Sequence, residues 1–575
     1  MYQGAGSFLP FIGWVSPSID SLLSCSSKWR AYPGAVKYHA TTTSKQFHGS
    51  MEINNSPLSS LSSAFVERKV EVTLVLVLLS ALLFHILRQV VAYKAHTAYG
   101  QRHGCLPPPE LPYDWPLGID RIKQLWVSNA EGRLLEFLCS IAKDYEPRNM
   151  LSQYLLVGPR AYHILHPRNL EVILSTNFRD YGFGARPSVF SPLLGNGIFT
   201  QEGAAWKHSR ELLRKQFVRT QYQKLEHFSE HVDNLIANLP QDGVVDLQAL
   251  FFNLTLDTAT ALLFGKSVYS LRAGIDQDAQ NKIFAESFNI AQEGLAKRFR
   301  LAPWHFFYSP SNFRQACANV HRFVEEYIDS RKAQKNEETE LENSFSFFDQ
   351  LAQGSASNTD LRDQLLNVLL AGRDTTACCL SWTFRLLVRH TEVFARLRRE
   401  VLSVAGSEPP TREVIRRMPY LACIIKESLR LYPPVPLNNR TAIRTTMLPT
   451  GGGPDGKNPI LVREGELVVF SQYVNSRVKS IYGADAHQFR PERWQTGEMS
   501  GIGHAYFPFN GGPRQCLGED FALMEVSYTV TRLIQTFPVI KLPDDESMQP
   551  VGSERQLLTL VLSSADGCRV QLRMQ

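Results

Sequence analysis

Several patterns are missing from these 575 residues. The nine cysteines stand at 25, 105, 139, 317, 378, 379, 423, 516 and 568, with no C-x-x-C pair and no regular spacing. That excludes the usual structural zinc spacings and argues against a disulfide framework, so free thiols in a reducing compartment are expected. A strong excess of one charge is also missing. The formal charge of +6 permits a basic docking face for an acidic partner but is no signature of nucleic-acid binding. No repeat appears, no second linker follows residue 118, and no flavin- or NADPH-binding segment is present. The run Gly451, Gly452, Gly453 is no phosphate cradle, because neither Gly-Lys-Ser/Thr nor a helix signal follows it.

What is present is globular: 44% of residues are hydrophobic and 20% charged, ample for a large core. Residues 1–65 are rich in Ser, Gly, Thr and Asn without a sustained period, and are expected to be disordered. Met51 is a second plausible start. Residues 66–93 read as a transmembrane anchor. From Val72 the sequence VTLVLVLLSALLFHIL carries no formal charge, and its continuation to Tyr93 reaches about 33 Å as a helix, enough to cross a bilayer. No small-x-small cleavage site follows, which argues against a secretory signal. Basic residues flank both ends (Arg68 and Lys69; Arg88, Lys94 and Arg102), so charge leaves orientation open. Residues 94–118 form a proline-rich hinge around Pro107, Pro108, Pro109 and Pro112, stiff because each proline fixes φ.

Residues 119–575 are expected to be one mainly α domain with small β-sheets. Helical periods dominate between about 205 and 430. Strand-like runs occur near 154–157, 460–462, 467–470 and 558–562. His208, Trp382 and the Phe306, Phe307, Tyr308 run are read as packing, and Cys378–Cys379 as core.

The decisive segment runs from Phe507 to Gly518 and fits F-x-x-G-x-R-x-C-x-G through Phe509, Gly512, Arg514, Cys516 and Gly518. It resembles the cysteine-ligand loop of cytochromes P450. The resemblance implies the P450 fold behind one transmembrane helix, and haem (iron protoporphyrin IX) with Cys516 as thiolate ligand. A thiolate pushes electron density onto the iron and favours O–O cleavage, so the loop should supply N–H donors and exclude water. Phe509 would shield the sulfur and Arg514 pair with a haem propionate. Ala371-Gly372-Arg373-Asp374-Thr375-Thr376 is similar to the acid–alcohol pair over a P450 haem. A glycine inside a helix costs about 1 kcal/mol relative to alanine, and its missing side chain leaves room for dioxygen and water. Thr375 can bond back to the carbonyl of Ala371, and Asp374 and Thr375 are assigned to proton delivery. Glu427 and Arg430, three apart on one helix face, with Arg493 look like the family's structural triad behind the haem. Trp206 and Arg210 match W-x-x-x-R toward the propionates, and Arg440 is a further propionate candidate.

Three segments beyond these motifs resemble the fungal n-alkane and fatty-acid ω-hydroxylase branch: 194–200 (LGNGIFT), 439–442 (NRTA) and 451–460 (GGGPDGKNPI). That implies oxygen insertion from O2 into an aliphatic C–H bond, here terminal hydroxylation of a long-chain fatty acid or alkane. NADPH would act indirectly, through a separate NADPH-cytochrome P450 reductase, with a cytochrome b5 contribution allowed. The expected location is the endoplasmic reticulum membrane, single-pass, with the catalytic domain cytosolic. Pocket candidates are 181–194, 369–371 and 435–439, a mix suited to an apolar ligand. Asn438-Asn439 departs from the apolar residue expected before Arg440, so a P450 tailoring a fungal polyketide or terpenoid is the alternative. A haem-thiolate isomerase or dehydratase, or a non-catalytic haem sensor, would not need the Asp374–Thr375 pair.

Overall fold

The structure, a computed structural model, describes residues 57–156, 158–220, 225–272, 279–302, 304–337 and 347–574. Most of the expected disordered extension, 1–56, lies outside the described residues. By compactness the chain divides at Ile86, with Leu87 onward forming the larger unit. The first helix, Pro57–Arg102, begins inside the stretch expected to be unstructured and continues past the expected hinge boundary at 94. Its Val72–Arg102 portion has the length and composition of a membrane anchor, with none of its most apolar window buried. The less apolar Leu247–Phe264 helix is 67% buried by the same measure and is a core helix.

After Arg102 the proline segment lies extended on a hairpin formed by Thr446–Gly452 and Asn458–Val462. Leu106 N–H donates to Pro459 O (2.9 Å) and Gly453 N–H to Pro107 O (3.0 Å). Prolines cannot donate, so the elbow is held where its remaining amides and carbonyls meet the hairpin.

The larger unit is helix-rich with four small sheets. The largest sheet orders Met150–Gln153, Ala161–Ile164, Leu467–Ser471, Leu437–Ala442 and Tyr181–Gly182, with one parallel pairing between the second and third strands. Two expected strands fall elsewhere. The chain leaves the sheet after Gln153, so the described part of that run, 154–156, is not a strand. Residues 558–562 straddle the turn between Gln556–Leu558 and Leu562–Ser564, where apolar residues bracket a hairpin. Phe306 and Phe307, expected to pack, are 59% and 78% exposed, and His208 is exposed as well. Trp382 is packed, stacked on Tyr432 with centroids 4.0 Å apart. The eight described cysteines are free thiols.

The long helix Asn358–Leu387 organises the molecule. Ser357 caps it by accepting from Asp360 N–H, and Asp360 sits in its first turn, where the helix dipole favours a negative charge. Leu361 to Leu370 pack into one apolar cluster with the Ala279–Arg300 and Ser311–Glu337 helices. Ala377 to Val388 pack into another with the Pro419–Leu431 and Glu519–Thr536 helices. Residues 371–376 belong to neither core, and the helix crosses from one to the other there.

Where Glu519–Thr536 meets Leu247–Phe264, the Glu525 carboxyl is buried and accepts from Thr258 Oγ1 at 2.5 Å. Burial pushes its pKa up to about 8, opposed by the Thr258 hydroxyl. The folded chain therefore holds a proton that the unfolded chain releases near pH 4.3. Stability from this site is full below that value and is lost as pH rises toward about 8. Glu525→Gln is expected to stabilise the protein by ~2–4 kcal/mol above pH 8 and to be near neutral below about pH 5. Urea unfolding at the two pH values measures this; an equal effect at both would exclude the buried acid as its cause.

Candidate active site

Between residues 363 and 389 of the long helix and its end, every residue is buried except Ala371, Gly372 and Thr375. Positions i, i+1 and i+4 share one face, so one side of the helix opens where the apolar cores part. A Cβ built on Gly372 would meet only Ala259 Cβ, at 3.9 Å. Thr375 Oγ1 donates to Ala371 O at 2.7 Å, the back-bond its spacing predicts.

Asp374 faces elsewhere. Its carboxylate accepts from Gln292 Nε2 (2.7 Å) and Arg373 Nη1 (3.3 Å), and Arg373 also reaches Gln292 Oε1 (3.0 Å) and Asn289 Oδ1 (2.6 Å). Burial raises the Asp374 pKa above the ordinary carboxylate range against the pull of Arg373 and Gln292. The structure thus puts Thr375 on the open face and Asp374 in a buried network with the Ala279–Arg300 helix.

The cysteine loop is closed by Cys516 N–H donating to Phe509 O (2.9 Å) and Gln515 N–H to Gly512 O (3.0 Å). Gly512 has φ +62°, and a Cβ there would lie 1.9 Å from Leu174 O, so no other residue fits. The Cys516 side chain is exposed, yet the surrounding protein displaces enough water to push the thiol up to about 11. The Gly518 N–H opposes that shift, and Arg210 opposes it more weakly. Phe509 is half-buried against the core.

Four arginines converge beside the loop. Arg514 lies over the rings of Phe183 and Trp206, 4.2 Å from each centroid, and donates to Gln201 O. Arg440 donates to Asn438 Oδ1 (2.9 Å) and Asn439 O (2.7 Å). Arg186 donates to Asn438 Oδ1 (2.8 Å) and Asn439 Oδ1 (3.2 Å). Arg210 donates to Gln515 O (2.8 Å), and Trp206 is buried between Phe178 and Arg514. Burial first, and each other's charge second, lower Arg440 and Arg514 to about 9 and Arg186 to about 10, with Glu202 as the opposing acid. Arg186 Nε is buried without a partner among the described residues. A cluster with more cations than anions and an orphaned donor is built for a multiply charged anion. Sequence reasoning missed Arg186 and Gln292; neither lies in a contiguous motif.

Glu427, Arg430 and Arg493 are fully buried together. Arg430 uses all its donors: Nε and Nη2 on the Glu427 carboxylate (2.9 and 2.8 Å), the rest on the carbonyls of Ser476, Ala486 and Gln488. Arg493 Nε, Trp494 Nε1 and Arg490 N–H add three more bonds to Glu427. Burial alone would raise the Glu427 pKa, but Arg430, Arg493 and the Arg490 amide hold it below the ordinary carboxylate value.

The chain matches the Cytochrome P450 family description over residues 120–563. It belongs to the cytochrome P450 family. A cytochrome P450 of Arthroderma benhamiae is 42% identical over 516 residues, covering 86% of this chain and 99% of that one. Cytochrome P450 52A13 of Debaryomyces hansenii is 40% identical over 500 residues, covering 84% and 95%. The crystal structure of the cytochrome P450DA heme domain shares the fold, with TM-score 0.68 over 82% of this chain and 98% of that chain at 20% identity. P450s are monooxygenases that carry a haem with a cysteine thiolate ligand and take electrons from NAD(P)H through a reductase. The residues here fit that group: the arginine cluster would offer donors to two carboxylates, and the exposed Cys516 thiol lies close enough to feel the charge of Arg210.

Two substitutions test this architecture. Glu427→Gln should cost ~3–5 kcal/mol by stranding two buried guanidiniums, read as a lower urea midpoint together with lost haem. The stability from Glu427 is present at neutral pH and lost as pH falls through its depressed pKa. Gly512→Ala should abolish haem incorporation while helical circular dichroism is retained; a normal haem content would show that the loop tolerates a side chain.

Proposed function

We infer that this P450 performs terminal hydroxylation of long-chain fatty acids or n-alkanes, with Cys516 as the iron ligand. The observation that carries the reading is the exposed Cys516 in its glycine-closed loop together with the open Ala371–Gly372–Thr375 face of the long helix, in a chain whose 194–200, 439–442 and 451–460 segments resemble the ω-hydroxylase branch. When bound, haem supplies oxygen activation and C–H oxidation. Trp206, Arg210, Arg440, Arg514 and Arg186 hold its carboxylates, and Phe509 and the loop amides shield and stabilise the sulfur as thiolate. Gly372 leaves space at the reacting centre. Thr375 presents its hydroxyl there and passes protons, and Asp374 replenishes them from the buried side, its raised pKa favouring a held proton at lower cost. Glu427, Arg430 and Arg493 hold the scaffold and do no chemistry.

Electrons come from NADPH-cytochrome P450 reductase, with cytochrome b5 as an auxiliary donor. The domain plan is the one read from sequence: an extension to 65, an anchor over 66–93, a hinge over 94–118 and the catalytic domain over 119–575. The anchor holds the protein in the endoplasmic reticulum membrane, single-pass, with the catalytic domain on the cytosolic side.

One observation favours a second reading. Asn438 and Asn439 make a polar patch with Arg186 at the expected pocket wall, which suits an oxygenated polyketide or terpenoid better than a bare hydrocarbon.

Full-length protein co-expressed with reductase distinguishes them. The expected result is a thiolate-type ferrous–CO spectrum, absent in Cys516→Ser, and ω-hydroxy products from a fatty-acid and alkane panel. Turnover only on oxygenated polycyclic ligands would sink the first reading in favour of the second. Thr375→Val and Asp374→Asn should each lower product formation at least about tenfold, with Thr375→Val diverting NADPH to hydrogen peroxide. Unchanged coupling in both would remove them from proton delivery.

A further inference from the structure

We propose that Arg298 is a specificity-determining positioning residue, bolting one wall of the substrate space to the turn that follows its own helix. The proposal rests on the reading of residues 181–194 as pocket wall. Arg298 lies in the last turn of the Ala279–Arg300 helix and is buried, 6% exposed. No carboxylate pairs with it among the described residues; four backbone carbonyls take its donors instead. Nε and Nη2 donate to Val189 O (3.0 Å) and Ser188 O (3.1 Å) of the Arg186–Leu194 helix. Nη1 donates to Tyr308 O (2.9 Å) and His305 O (3.2 Å). The sequence prepares one of these acceptors. Pro192 sits inside the Arg186–Leu194 helix and has no N–H, so the carbonyl four residues back, Ser188 O, has no helical partner. Ser191 Oγ reaches that oxygen at 3.4 Å. Arg298 Nη2 takes the acceptor that Pro192 frees.

The ends of this wall helix have their own ties. At its start Arg186 donates to Asn438 Oδ1 (2.8 Å). At its end Leu193 O accepts from His321 Nε2 (2.8 Å) and Leu194 O from Asn367 Nδ2 (2.8 Å). Asn367 stands one helical turn before Ala371 on the same side of the long helix, so the wall ends one turn short of the open face. Between those ends, Arg298 is the side chain of another element that bonds the helix backbone, among the described residues, and the Phe190 and Phe299 rings meet beside it (5.7 Å). A guanidinium parted from these carbonyls would be a buried cation without acceptors, which costs far more than one broken neutral bond. Wall and turn are thereby fixed to each other, and with them the width of the space on that side. A fixed wall suits a straight chain and penalises a branch. Lysine would keep the charge, but as a point donor it cannot span both pairs of carbonyls.

Two measurements on full-length holoprotein test this. Hydrogen–deuterium exchange without substrate reads the bolt itself. Arg298→Lys should speed exchange over 188–191 and 305–308 together, at least about tenfold, and leave the Asn358–Leu387 helix unchanged. Exchange at the wild-type rate, or faster in one of the two segments alone, would overturn the proposal. Turnover with reductase reads specificity, as the ratio of kcat/KM for a straight-chain substrate to that for its methyl-branched analogue, on whichever class the wild type turns over. Arg298→Lys should lower that ratio at least about tenfold, with the change in KM rather than kcat. Pro192→Ala keeps the buried cation and returns a helical partner to Ser188 O. It should move the ratio the same way by a smaller factor, and it decides the matter if Arg298→Lys does not hold haem. An unchanged ratio in the variants that carry haem would overturn the proposal. Failure of the terminal-hydroxylation reading shows separately, in the wild type, as products other than ω-alcohols.

Discussion

The Glu427 carboxylate is the point on which the architecture turns. A charge this deeply buried costs several kcal/mol to desolvate, and the chain offsets that with a full set of donors from Arg430, Arg493, Trp494 and the Arg490 amide. The arginines are satisfied in turn by carbonyls of 476, 482, 486 and 488, so three separate segments are drawn to one carboxylate. From there the constraint passes to the cysteine loop. The Trp494 ring lies 4.7 Å from Tyr506, whose hydroxyl donates to Lys426 O, and the Tyr482 hydroxyl donates to Ala505 O. Residues 505 and 506 directly precede the loop, so a buried ion network behind it decides where Cys516 sits.

The other side of the loop is arranged in the opposite sense. Glu427 is over-supplied with donors, whereas Arg186, Arg440 and Arg514 are short of anions and depress one another's pKa values. Such a cluster weakens the fold on its own, and a multiply charged anion that met its free donors would strengthen it. One half of the site is therefore electrostatically complete in the chain, and the other half is not.

How much of this could be read from sequence follows from which contacts are local. The cysteine loop was legible because Phe509, Gly512, Arg514, Cys516 and Gly518 lie within ten positions and each answers to loop geometry. Glu427 and Arg430 were legible as one turn of helix, and Arg493 only through resemblance, since its bond spans 66 residues. Arg186 gave no signal: its meaning depends on a strand more than 250 residues away. The misplaced strands have a simple cause. Apolar runs at 154–157 and 558–562 have strand composition, but Leu156 takes φ +53° and residues 559–561 make a turn. Hydrophobic composition also misplaced Phe306 and Phe307, because aromaticity measures how favourable burial would be and not whether a neighbour exists to provide it.

Asp374 shows most clearly what a motif conceals. Side by side in sequence, Asp374 and Thr375 suggest a pair working at one spot, but successive helical residues point about 100° apart. If Thr375 faces the open side, Asp374 must face a neighbouring helix, and the Ala279–Arg300 helix supplies Gln292 and, through Arg373, Asn289. The two residues then answer to different surroundings: a hydroxyl on the open face, and a buried acid tied to a second helix. Any shift of the Ala279–Arg300 helix must change the environment of the acid, because Gln292 cannot move without altering what Asp374 accepts.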